Sequence, residues 1–332
     1  MIISRTPFRI SFFGGGTDYP AWYRDNGGAV LSTSIDKYCY ISCRRLPPFF
    51  EYRHRIVYSK TEHCNSIDDI LHPAVREVFR FIGVNEGLEI HHDGDLPARA
   101  GLGSSSTFTV GLLHALYALQ GRIVSKEQLA REAIHVEQDL IREDVGSQDQ
   151  IAAAFGGLNR ISFMRENEFS VDRLTLNREK KDLLQRHLLL LFTGFARSAP
   201  EIAHEVITMI RNRHGELNAL RGMVDAAIGI LNRSGDDITD FGRLLHESWS
   251  IKRSLTARIT TPHIDEIYES AQQAGAIGGK LLGAGGGGFM LLFARPEHHQ
   301  RIRERLKQLL FVPFQFENMG SQIVVYQPDG LY

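Results

Sequence analysis

The chain has 332 residues, of which 43% are hydrophobic and 23% charged, and its formal net charge is −1. That length suits one large or two ordinary domains with a sizeable core, and the even charge balance excludes a protein that works by attraction to nucleic acid or to an anionic membrane. No apolar run reaches the length of a membrane span, the N-terminus shows no signal-peptide pattern, and three cysteines without a CxxC pair argue against a disulfide framework or zinc knuckle; the expected setting is the reducing cytoplasm.

Residues 2–13 are β-rich (Ile3, Phe8, Ile10, Phe12, Phe13) and break at Gly14-Gly15-Gly16-Thr17-Asp18. A plain hairpin turn needs fewer glycines, and Arg9 lies just upstream, so this turn is read as a ligand-facing loop. Residues 28–43 read as a second strand, 68–82 as a helix stopped by Gly83, and 88–92 as a further strand. Its His91-His92 pair points to opposite faces of that strand, which does not suit two ligands of one metal ion.

The stretch 96–106, Leu-Pro-Ala-Arg-Ala-Gly-Leu-Gly-Ser-Ser-Ser, runs straight into apolar residues at helical spacing (Phe108, Leu112, Ala115, Leu119). Small residues at a helix N-terminus, with unpaired backbone N–H groups and the positive end of the dipole, make a phosphate cradle. Taken alone, the same residues fit an ordinary Ser-capped helix equally well. A second helical pattern starts near Ser125 and carries Glu137 and Asp139; by default Glu137 belongs to a solvated helix face. After the break Gly146-Ser147-Gln148, Asp149 opens a short helix, as an N-cap or as a site residue. Residues 158–163 read as a return strand and 166–178 as a loop or edge hairpin.

An apolar strand from Leu188 ends in Thr193-Gly-Phe-Ala-Arg197-Ser198, and long helices follow over about 200–233 and 238–255. The charged run 178–182 marks the expected boundary between domains of residues 1–184 and 185–332. Near the end, Gly283-Ala-Gly285-Gly286-Gly287-Gly288 formally matches G-x-G-x-x-G but opens an apolar β-like run rather than a helix, so it fails the dinucleotide test. A Walker motif is absent. The second half reads as an α+β sandwich of a few strands with helices on one face.

Three glycine loops, one in cradle form, stand with Arg9, Glu137, Asp149 and Ser105. That is the set of parts phosphoryl transfer needs: a phosphate cradle, oxygen ligands for Mg²⁺, a base and a cation. The residues therefore point to a nucleotide-dependent phosphotransferase that is not of the P-loop type.

Three segments then resemble the motifs of the GHMP kinase superfamily, which includes galactokinase and the homoserine, mevalonate and phosphomevalonate kinases. They are Arg5-Thr-Pro-Phe-Arg9-Ile-Ser-Phe-Phe-Gly-Gly-Gly-Thr-Asp18, Pro97-Ala-Arg-Ala-Gly-Leu-Gly-Ser-Ser-Ser106 and Lys280-Leu-Leu-Gly-Ala-Gly-Gly-Gly-Gly288. The resemblance implies an α+β, two-domain fold: a ribosomal protein S5 domain 2-like N-terminal domain, a ferredoxin-like C-terminal domain and a cleft site between them. It implies ATP phosphates on Gly101, Leu102, Gly103, Ser104, Ser105 and Ser106, and Mg²⁺ on Ser105 and Glu137. Asp149 is implied as the base, with Arg9 beside it stabilising transferred charge. The sugar would meet Gly15, Gly16, Thr17 and Asp18, with Gly285 and Gly286 closing over it.

Galactokinases carry Glu-His where this chain has Gly15-Gly16, which removes sugar contacts and opens space for a larger substrate. The motifs together with Gly146-Ser-Gln-Asp-Gln150 resemble bacterial D-glycero-D-manno-heptose 7-phosphate kinases, which phosphorylate the anomeric hydroxyl on the way to GDP-heptose. A phosphorylated substrate calls for further cations. Arg197 is the first candidate, equally readable as a surface arginine at a strand end; Arg99 and Lys280 rank below it. The implied partners are ATP and a sugar phosphate, with no nucleic acid or membrane and with a homodimer left open. The competing readings are a kinase of free sugars such as L-fucose or galactose, and a non-catalytic sugar- or nucleotide-sensing relative.

Overall fold

Strand β1 (Ile2–Phe13) and the 18-residue β2 (Gly28–Arg45), separated by helix α1 (Pro20–Asn26), form the spine of a nine-stranded sheet. The structure is a computed structural model that describes residues 1–98, 100–194, 199–210 and 212–328. β3 (His54–Val57) and β4 (Thr61–Cys64) form a hairpin at one edge, and α2 (Pro73–Ile82) leads into β5 (Leu88–Gly94). Then come α3 (Ser104–Leu119), α4 (Lys126–His135) and α5 (Gln148–Phe155), followed by the hairpin of β6 (Leu158–Phe163) and β7 (Phe169–Arg173).

β1 pairs along one side of β2, and β5 and β6 share the other. The β1–β2 register shifts between Pro7 and Arg9 and again between Ser11 and Phe13. Such irregularities re-aim a side chain, and the first of them falls at Arg9. From Ile2 onward every second residue of β1 is buried, and from Thr6 every residue is, because α3 and α5 and, from the second half, α8 and α9 pack on the strand.

Helix α6 (Arg178–Arg186) leads into β8 (Leu188–Phe192). Three helices follow, α7 (Ala199–Ile210), α8 (His214–Asn232) and α9 (Thr239–Leu255), and then α10 (Pro262–Gln273). β9 (Ala276–Leu281), β10 (Phe289–Ala294), α11 (His299–Arg305) and β11 (Leu310–Phe311) complete an antiparallel sheet of order β11-β8-β10-β9. α9 lies across β9 and β10. Its Phe241 meets Phe12 and Phe13 of β1 edge-on, with ring centres 5.6 and 5.1 Å away, and tilts against Phe293 of β10 at 5.9 Å. One aromatic cluster therefore joins both sheets and fixes the end of β1 against the second half.

The chain then returns. β12 (Phe316–Glu317) pairs with β2, and β13 (Gln322–Tyr326) pairs with β1. The expected division at 184/185 is corrected here: residues 316–326 complete the first sheet, because the edge of β1 offers unpaired backbone that β13 satisfies. Among the described residues, no helix is long and apolar enough to cross a membrane.

Candidate active site

Helix α3 starts at Gly103, which adopts φ +78°, and no side chain caps it. That removes the Ser-capped reading of 96–106, because the first turn is not closed by a serine cap. Ser105 is exposed and Ser104 half-buried, whereas Ser106 is buried. The left-handed backbone at Gly103 also leaves no room for a side chain: a Cβ there would stand 3.2 Å from Asp149 Oδ2 and 3.4 Å from Arg9 Cγ. The cradle and the expected base therefore touch.

Arg9 joins them. Its Nε and Nη2 each donate to Asp149 at 2.7 Å, a bidentate pair, and its Nη1 donates to the carbonyl of Gly101 at 2.6 Å. Its backbone N–H donates to Leu102 O at 3.2 Å. The Arg9 side chain is 5% exposed and that of Asp149 is 24% exposed, so the carboxylate remains partly open to solvent. Asp149 lies in the first turn of α5, whose N-cap is Ser147, so it is not itself the cap.

The loop at 14–18 stands beside them. Asp18 is buried, and its Oδ1 and Oδ2 accept from Gly16 N and Gln148 Nε2, each at 2.9 Å. Burial and then the Asp149 charge push its carboxyl up from the usual range. Gly146 must lack a side chain, since a Cβ there would fall 2.0 Å from Asp18 Oδ2. Thr17, expected at the sugar, is fully buried and turns inward: its hydroxyl donates to Gly14 O at 2.8 Å and to Ala29 O at 3.0 Å, holding the turn together. At Gly15 an added Cβ would meet Gln148 Nε2 and Ser11 Oγ at 3.8 Å, ordinary contact distance, so a methyl group fits there without a clash.

Glu137 departs from the default reading of a solvated helix face. At Val136 helix α4 widens into a π-helical turn, Val136–Ile141, ended by Arg142 at φ +65°. Such turns recur at functional sites, and this one swings Glu137 into the interior, fully buried. Its carboxylate accepts from Ser106 Oγ at 2.7 Å, from Thr109 Oγ1 at 2.8 Å and from Gln150 Nε2. Burial pushes it up to about 7. The hydroxyl that meets Glu137 is that of Ser106, while Ser105, expected beside Glu137 on the metal, is exposed on the outer side of the same turn. A desolvated carboxylate surrounded by neutral oxygen and amide groups, directly behind the cradle, fits a hard divalent cation such as Mg²⁺.

The third glycine loop closes on the second. A Cβ on Gly101 (φ +88°) would lie 2.4 Å from Leu282 O, and one on Gly283 (φ +74°) would lie 2.4 Å from Gly101 Cα. Phe289 N donates to Ala100 O at 3.1 Å, tying the two loops together. Gly285 and Gly286, expected over the sugar, instead rest on the backbone of Ile259, to whose carbonyl Gly286 N donates at 2.9 Å. Arg197 and Arg99 lie outside the described residues. Lys280 is buried and donates to Phe12 O at 3.0 Å, which makes it a tie between β9 and β1. His91 turns to Glu89 and His92 packs edge-on against Phe108, and among the described residues no group of three or more His, Cys, Asp and Glu side chains is placed to hold a metal.

Sequence reasoning missed Lys252. It lies on α9, outside all three motifs, and its Nζ donates to Leu281 O at 3.2 Å and to Gly283 O at 2.5 Å. Burial pushes the amine down to about 8, with Arg9 adding to the shift and Asp18 opposing it. A lysine near the end of a long helix carries no local signal of this placement.

Two family profiles match the chain, GHMP kinases N terminal domain over residues 69–157 and GHMP kinases C terminal over residues 227–310, and together they cover just over half of it. The chain belongs to the GHMP kinases. It is 26% identical to the D-glycero-alpha-D-manno-heptose 7-phosphate kinase of Campylobacter jejuni, over 92% of this chain and 93% of that one. It is also 26% identical to the bifunctional fucokinase/GDP-fucose pyrophosphorylase of Arabidopsis thaliana, over 91% of this chain but only 31% of that larger protein. The crystal structure of a D-glycero-D-manno-heptose 1-phosphate kinase from Bacteriodes thetaiotaomicron superposes with a TM-score of 0.73 over 98% of this chain and 100% of that one, at 24% identity, and so shares the GHMP kinase fold.

Proposed function

We propose that this GHMP kinase transfers the γ-phosphoryl group of ATP to the anomeric hydroxyl of D-glycero-D-manno-heptose 7-phosphate. The product is the 1,7-bisphosphate, a precursor for nucleotide activation to GDP-heptose and surface polysaccharide. One observation carries the reading of a transfer site: Arg9 binds Asp149 with two N–H groups and the phosphate-loop residue Gly101 with a third. Base and cradle are thereby held in one rigid unit, as phosphoryl transfer by positioning demands.

In this reading Asp149 accepts the proton of the acceptor hydroxyl as its oxygen bonds to the γ-phosphorus. The bond from that phosphorus to the bridging oxygen breaks, and ADP leaves with the electron pair. Arg9 keeps Asp149 oriented and adds positive charge beside the group in transit. Glu137, with the hydroxyls of Ser105 and Ser106, would hold Mg²⁺, which when bound neutralises charge on the phosphate oxygens. The absence of a side chain at Gly15 supports an acceptor larger than a hexose. The similarity to a bifunctional fucokinase favours a second reading, a kinase of free L-fucose.

The test is ADP release with ATP, Mg²⁺ and a panel of heptose 7-phosphate, free heptose, L-fucose and galactose, with the product position read by phosphorus NMR. The highest kcat/KM is expected on the 7-phosphate, with the new phosphate at C1. Preference for L-fucose replaces the first reading with the second. Turnover of no sugar replaces both with a sensing relative.

A further inference from the structure

Lys252 is a lysine placed at a cost. Taking an ammonium out of water is unfavourable unless something compensates it. Among the described residues, its hydrogen-bond partners are two neutral carbonyls, those of Leu281 and Gly283. Asp18 is the acidic group close enough to act on it, and Arg9 is close enough to oppose Asp18. Asp18 itself is already occupied by Gly16 N and Gln148 Nε2.

An ammonium has three N–H donors, and two are spent on the third glycine loop. That loop packs on Gly101, and Gly101 accepts from Arg9. Lys252 is therefore held near the Arg9–Asp149 pair through the third glycine loop and Gly101, half-buried rather than sealed, with one donor left. Lys280 does not share this position, since it is buried and spends itself on Phe12 O. A desolvated cation without an ion-pair partner in a cleft marks a site built for an anion that arrives.

We propose that Lys252 is a catalytic cation of this site, donating its remaining N–H to the phosphoryl group as that group passes from the nucleotide to the acceptor. It gains and loses no proton in the step. Its charge adds to that of Arg9, which is close enough to act on it, so the oxygens of the group in transit meet two cations. The two carbonyls hold the amine in place beforehand, so no reorganisation accompanies the reaction. This rests on the reading of the cleft as a phosphoryl-transfer site.

The test compares wild type with Lys252→Met and Lys252→Arg. For Lys252→Met, kcat on the best sugar of the panel is expected to fall about 10²-fold, with affinity for ADP changed by less than about threefold and with Tm unchanged or raised, because an uncompensated buried charge has been removed. Affinity for ADP with aluminium fluoride, a mimic of the group in transit, is expected to fall at least about tenfold more than affinity for ADP alone. Lys252→Arg is expected to recover part of both losses.

An unchanged kcat overturns the proposal. So does a loss of activity matched by an equal loss of ADP affinity or by a fall in Tm, which would make Lys252 a holder of the loop only. If wild type phosphorylates no sugar, the functional reading fails by itself. The aluminium fluoride comparison, which uses no acceptor, then still decides the role of Lys252.

Discussion

Arg9 and Asp149 are 140 residues apart and meet in a bidentate ion pair, 2.7 Å at each contact, while the same guanidinium reaches Gly101. A lysine in place of Arg9 cannot make all three bonds, because its donors do not form the planar fork of a guanidinium. Asp149→Asn is expected to lower kcat by about 10²–10⁴-fold with little change in KM, because the amide keeps the shape and loses the base. Arg9→Lys should lower kcat by about 10²-fold, since a point charge cannot orient the carboxylate. Steady-state kinetics on both variants check this, and near-wild-type turnover of Asp149→Asn removes the base role.

The clasp between the second and third glycine loops depends on Gly101. Its left-handed backbone and the 2.4 Å approach of Leu282 O leave no place for a methyl group. Gly101→Ala is expected to cost about 1–3 kcal/mol of stability and to weaken nucleotide binding, both read from thermal unfolding with and without ADP. Gly15→Ala, by contrast, meets Gln148 and Ser11 only at ordinary contact distance, 3.8 Å, and should leave Tm unchanged.

A larger side chain at that position should act on the acceptor alone. Gly15→Glu is expected to raise KM for heptose 7-phosphate about tenfold or more and to leave KM for ATP unchanged. An equal rise for both substrates would place the acceptor elsewhere.

Lys252 predicts a pH dependence. With its amine held down to about 8, the ammonium is lost as pH rises through that value, so kcat/KM should fall above about pH 8. Lys252→Arg keeps its charge and should carry activity to higher pH. The stability effect has the opposite sign. Between about 8 and the unfolded lysine value near 10.4, the unfolded chain binds more protons than the folded one, so wild type should gain stability relative to Lys252→Met across that window. The groups facing the amine are Arg9, Asp18 and Lys280. Rate profiles and a pH series of Tm measure the two effects separately.

Glu137→Gln preserves volume and removes the charge behind the cradle. The Mg²⁺ concentration for half-maximal activity is expected to rise about tenfold or more. An unchanged Mg²⁺ requirement would leave Glu137 as a buried acceptor for Ser106 and Thr109 and nothing else.

Local patterns in the sequence were enough to find the three glycine loops and to point to a phosphotransferase, while 96–106 taken alone stayed open between a cradle and a capped helix. Glycine and serine at a helix start act through their own backbone, and that information lies within a few residues. Asp18 and Asp149 were legible because each sits beside a break in secondary structure, and Arg9 because it lies upstream of the glycine turn on the strand that runs into it.

What only the tertiary structure decided is which way neighbours face. Helical spacing put Glu137 on a solvated face, and one widened turn rotated it inward onto Ser106. Thr17 was read toward the sugar, but its hydroxyl closes on Gly14 and Ala29 across the turn. The final strands were counted with the second half and pair with the first. Lys252 had no local signal at all, since it becomes part of the site only when α9 crosses β9 and brings it to Leu281 and Gly283. Spacing along the chain specifies backbone geometry over a few residues; which side chains converge depends on packing and strand pairing between segments hundreds of residues apart.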